Sequence, residues 1–69
     1  IEFHLNVATS VQLNVFDILG QQVATLIDGP VNAGAHQVQF SGGNVPSGIY
    51  FYQLRAGSYV LTRRMLLVK

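Results

Sequence analysis

The feature that most constrains this chain is an alternation of apolar and polar residues that runs along most of its length. Ile1, Phe3, Leu5 and Val7 alternate with Glu2, His4 and Asn6, and Val11, Leu13 and Val15 alternate with Gln12 and Asn14 before the run reaches Phe16. Successive side chains of a β-strand point to opposite faces, so a period of two describes a strand with one face on a core. His36, Val38 and Phe40 alternate with Gln37 and Gln39 in the same way. A third strand is predicted from Gln21 to Ile27, with Asp28-Gly29-Pro30 expected to break it. The segment Gly48 to Ala56 is strongly β-forming, and Tyr59 to Val68 reads as the last strand. No segment has a convincing helical period.

The punctuation fits this reading. In Asp17-Ile18-Leu19-Gly20 the Asp can accept hydrogen bonds from the following backbone and the Gly supplies positive φ. Asn32-Ala33-Gly34 and Gly57-Ser58 are further turn signals, and Ser41 to Gly48 is a loop by composition. Six strands joined by short turns predict an all-β antiparallel sandwich. In the fifth strand Tyr50, Tyr52 and Leu54 are expected to face inward, because Gln53 and Arg55 occupy the other face. The last strand is ambiguous. Val60, Leu66 and Val68 lie on one side with Thr62 and Arg64; Tyr59, Leu61, Met65 and Leu67 lie on the other with Arg63. Such a strand is either central and covered twice, or an edge that meets a partner.

With 69 residues there is room for one domain, 1–69, and one core. A chain this short buries only about 60 % of its unfolded surface, and without cysteine no disulfide can staple it. Apolar residues make up 49 % and charged residues 10 %, a ratio that suggests some apolar surface is covered by a parent chain or a partner. Strand pairing into a homo-oligomer is also open to the isolated chain. The net charge of +1 gives no basic face for nucleic acid. No apolar run is long enough to span a membrane as a helix, and Ile1 to His4 does not read as a signal peptide. The chain reads as a piece from the interior or the end of something larger.

Little in the sequence points to catalysis, a cofactor or a metal. The acids Glu2, Asp17 and Asp28 fall in one strand and two turns, and no G-x-S-x-G elbow is present. His4 and His36 could form a metal pair if their strands were neighbours, but a third ligand is missing. Gly42-Gly43 is not followed by a helix, so no phosphate cradle is implied. Tyr50, Tyr52 and Tyr59 with Phe51 read as core and cross-strand packing, or else as a stacking platform for carbohydrate. All the basic residues, Arg55, Arg63, Arg64 and Lys69, fall in the final 15 positions. They either keep an edge hairpin from aggregating or form a recognition strip for an acidic partner.

Four motifs occur in order: Val15 to Val23 (VFDILGQQV), Ala33 to Val38 (AGAHQV), Val45 to Leu54 (VPSGIYFYQL) and Thr62 to Lys69 (TRRMLLVK). Together they resemble the type A C-terminal sorting domain of the type IX secretion system of Bacteroidetes-like bacteria. They are also similar to the immunoglobulin-like domain of the flagellar hook-capping protein. The resemblance implies an immunoglobulin-like β-sandwich of about six to seven strands with no catalysis, exported to the cell surface or beyond, with the outer-membrane secretion machinery and a parent passenger domain as partners. It implies that export information lies in the C-terminal strand region, with Pro46 to Tyr50 and Arg63 to Lys69 as the matching positions; taken with the basic cluster, this makes Arg55, Arg63, Arg64 and Lys69 the candidate sorting residues. Gly20, Gly34, Pro46, Gly48 and Tyr50 are expected to serve only the turns and the core. The family's usual Asn-Pro-rich segment before the first strand does not precede Ile1, so either the first strand is expected to be incomplete or part of the domain is expected to lie outside these 69 residues. The other readings are a structural spacer of an extracellular protein and a carbohydrate-binding module.

Overall fold

The computed structural model describes residues 1–40 and 45–68. Six strands form: β1 (Glu2–Leu5), β2 (Thr9–Phe16), β3 (Gln22–Val31), β4 (Gly34–Gln37), β5 (Gly48–Ala56) and β6 (Tyr59–Leu67). No helix occurs among the described residues. β1 pairs with β4, and the other sheet has the order β3-β2-β5-β6; every pairing is antiparallel. The hairpins β2–β3 and β5–β6 are thus joined side by side through β2 and β5, and the chain visits the smaller sheet between them. The fold is the antiparallel sandwich expected from the alternation, consistent with an immunoglobulin-like arrangement.

β2 is central, paired on both sides, and supplies the middle of the core. Val11, Leu13 and Val15 are at most 1 % exposed. Leu5, Val11, Leu13 and Leu54 form one cluster, with Phe3, Leu26, Ile27, Val38 and Leu61 packed against it. Each fully buried aliphatic contributes about 1.5–3 kcal/mol of transfer free energy, and no disulfide adds to this. Two short strands cannot cover four long ones, and the radius of gyration, 12.2 Å, is above the roughly 11 Å of a compact chain of this length.

The third strand departs from expectation. β3 does not stop at Ile27 but continues through Asp28-Gly29-Pro30 to Val31, opposite Gln12, Val11, Ser10 and Thr9. β3 is an edge strand, and an edge tolerates a residue with no N–H on its free side. The register also slips twice, between Leu13 and Asn14 and between Val15 and Phe16 on β2. The extra residues opposite these steps are Leu26 and Val23. A bulge breaks the alternation, which is why the neighbours Leu26 and Ile27 both pack on the core.

The β2–β3 turn follows its chemistry. Asp17 Oδ1 accepts from the N–H groups of Leu19 and Gln21 at 2.9 Å each, and Gly20 has φ of 84°. Gly34 and Gly48 are the first residues of β4 and β5. Tyr50 is buried, and its hydroxyl donates to the Pro46 carbonyl at 2.6 Å. That bond ties the start of β5 to the backbone four residues upstream, in the manner of a tyrosine corner. Of the loop read from Ser41 to Gly48, residues 41–44 lie outside the described residues.

Candidate recognition surface

Residues directly opposite one another in an antiparallel pair share a face, so the ladder registers fix what each side of the hairpin presents. Leu61 lies opposite the buried Leu54 and Met65 opposite the buried Tyr50. The inner face of β6 is therefore Tyr59, Leu61, Arg63, Met65 and Leu67, which resolves the ambiguity left by the alternation. Val60, Thr62, Arg64 and Leu66 face outward. Leu61, Met65 and Leu67 are half-buried while Arg63 is exposed.

The two arginines thus point to opposite faces. Arg63 lies opposite Tyr52 on the inner side, and Arg64 lies opposite Phe51 on the outer side. Arg55 shares the outer face, opposite Val60, and its Nε donates to Gln53 Oε1 at 3.4 Å. Between Arg55 and Arg64 stands the pair Gln53 and Thr62, so no continuous strip of cations forms on either face among the described residues. Lys69 lies outside the described residues. Neither β5 nor β6 contains Asp or Glu, so the hairpin is purely cationic. β6 ends the four-stranded sheet and leaves one main-chain edge without a strand among the described residues.

The outer face is banded. Gln12, Asp28, Arg55 and Val60 occupy the end near the β5–β6 turn. An amide and hydroxyl band follows, with Asn14, Gln53, Thr62 and Thr25; the Thr25 hydroxyl donates to Asn14 Oδ1 at 3.0 Å. Beyond it come the row Phe16–Phe51–Arg64 and then the pair Ile49 and Leu66. Ile49 is 43 % exposed and Leu66 69 %. The β2–β3 turn at this end adds Ile18 and Leu19, 71 % and 80 % exposed. This apolar end was not foreseen residue by residue. Its signals were the high apolar fraction and the occurrence of Ile49 and Phe51 on the non-core face of β5.

The other candidate residues separate. β1 and β4 are neighbours, but His36 lies opposite Phe3 and His4 opposite Ala35, so the two imidazoles fall on opposite faces. His36 instead stacks on Phe3 with centroids 5.3 Å apart, and its Nε2 lies 2.6 Å from the Asn32 carbonyl. The tyrosines form no common platform. Tyr50 is buried with its hydroxyl engaged, Tyr52 is half-buried beside the core, and Tyr59 is exposed at the far end of the hairpin.

Fold and surface together define a small antiparallel β-sandwich module of immunoglobulin-like type, ending in a basic edge hairpin. Residues 1–69, the whole chain, match the family described as the secretion system C-terminal sorting domain, and the chain belongs to that family, the sorting tails of type IX secretion. No curated protein and no solved structure gives a significant match. The family is non-catalytic, and membership implies a secreted protein, a secretion machine that reads the tail, and a passenger that it accompanies.

Proposed function

We propose that this domain directs a passenger through the type IX system by offering its last hairpin to the outer-membrane machinery, and that it holds the passenger at the cell surface. The observation that carries the reading is that a strand whose outer main-chain edge is unpaired among the described residues coincides with the basic region of a chain that matches the sorting family throughout. Strand addition at an exposed edge supplies affinity through main-chain hydrogen bonds, while side chains flanking the edge supply selectivity. In this scheme Arg63 and Arg64 flank the edge of β6 from its two faces, Arg55 adds a positive charge at the turn end of the hairpin, and Lys69 adds one by its place in the sequence. Fusing residues 1–69 to a passenger in a host with the secretion system tests it. Export is expected with the intact chain and lost when Arg63 to Lys69 are deleted; export that survives the deletion would overturn the mechanism.

A further inference from the structure

Resting on the sorting reading, we infer that the outer face of the four-stranded sheet, at the end holding Phe16, Ile49, Phe51, Arg64 and Leu66, is a second docking surface, and that it fits an apolar protein surface bearing a carboxylate. The apolar residues here are not part of the core. They lie on the side of the sheet away from Val11, Leu13 and Val15, and Ile49 and Leu66 are directly paired and both exposed. Exposed apolar residues scattered singly need no explanation, but here the exposed Ile49 and Leu66 adjoin the half-buried Phe16 and Phe51 across three strands, with Ile18 and Leu19 exposed on the adjoining turn, and such a group points to an interaction site.

The charge within the group selects the occupant. Arg64 stands in the row with Phe16 and Phe51, and neither strand of its hairpin carries an acid. Closing an apolar surface over a guanidinium strands the charge unless the incoming surface brings a carboxylate to it. A second copy of this chain meets the opposite difficulty, because a twofold contact centred on the patch sets Arg64 beside its own symmetry mate. A lipid surface fits less well too. The cations of the hairpin are divided between the two faces, and the apolar face presents one arginine at this end and the other beyond a polar band.

The test uses residues 1–69 at the end of an exported passenger. Ile49→Ser with Leu66→Ser, and separately Arg64→Glu, are expected to lower surface delivery by about tenfold or more, the effect of losing a central contact residue. Arg64→Lys is expected to retain most delivery, and Val60→Ser, on the same face but outside the group, nearly all of it. Thermal unfolding of each chain separates loss of docking from loss of fold; if the double variant does not fold, Ile49→Ser alone decides, because Ile49 lies on β5 and not on the edge strand that the sorting reading uses. Deletion of residues 59–69 separates the two levels. If that deletion abolishes delivery while the outer-face variants deliver normally, the second surface is wrong and the sorting reading stands. If the deletion has no effect, the sorting reading itself fails. Flotation of the intact chain with phosphatidylglycerol vesicles, or a dimer in sedimentation equilibrium, would overturn the protein-partner assignment if the same substitutions abolished it.

Discussion

At the scale of single residues, stability is concentrated in very few side chains. Leu13 is fully buried at the centre of β2, with no disulfide to share the load. Leu13→Ala is expected to cost about 2–5 kcal/mol, enough to unfold much of a domain this small, as read by urea denaturation. Tyr50→Phe keeps the ring and removes only the bond to the Pro46 carbonyl, so a loss of about 1 kcal/mol is expected by the same measurement. Gly20→Ala places a Cβ on a backbone with φ of 84°, where an L-residue is disfavoured by roughly 1–2 kcal/mol. Nothing lies within 4 Å of that Cβ, so the cost is conformational and not a clash. These roles were readable in the sequence because each depends on local pattern: alternation for Leu13, the Asp-to-Gly spacing for the turn, and an aromatic set among β-formers for Tyr50.

At the scale of elements, legibility followed how much each strand depended on its neighbours. β5 matched its expected bounds, since Gly48 and Gly57 punctuate it on both sides. β3 did not, because Asp28-Gly29-Pro30 has the local chemistry of a turn yet pairs with β2. Tertiary pairing overrode the local preference, and two bulges hid the alternation. Pro30 has a consequence of its own. Pro30→Val would restore an N–H on the free side of an edge strand. Unfolding free energy is expected to change by less than about 1 kcal/mol, while self-association at high concentration rises, as followed by sedimentation velocity.

At the scale of the whole molecule, charge and hydrophobicity are both distributed unevenly. The three acids, Glu2, Asp17 and Asp28, precede residue 30, and the four basic residues begin at Arg55. The sequence revealed that the positive charge clusters at the end of the chain. It did not reveal that the cluster splits across a sheet, because facing in β6 depends on its register with β5 and both of its faces are apolar. The outer patch was hidden for a related reason, since Phe16 lies in β2 while Ile49 and Phe51 lie in β5, and only the pairing of those strands makes them neighbours. If recognition depends on these cations, raising the salt from low to about 0.5 M shortens the Debye length to a few ångströms. Binding of the intact chain to its isolated receptor should then weaken severalfold, whereas neutral main-chain pairing alone would be little affected.

The two-sidedness of β6 carries one more implication. In β2 a slip of one position would bring Gln12 and Asn14 into the oil and expel Val11, Leu13 and Val15, so the interior polices its alignment. In β6 the same slip exchanges Leu61, Met65 and Leu67 for Val60, Leu66 and Val68, one greasy set for another. Its alignment is held mainly by the tight Ala56-to-Tyr59 reversal, where Gly57 has φ of 62°. The last strand can thus shift its register and still turn an apolar face to the interior.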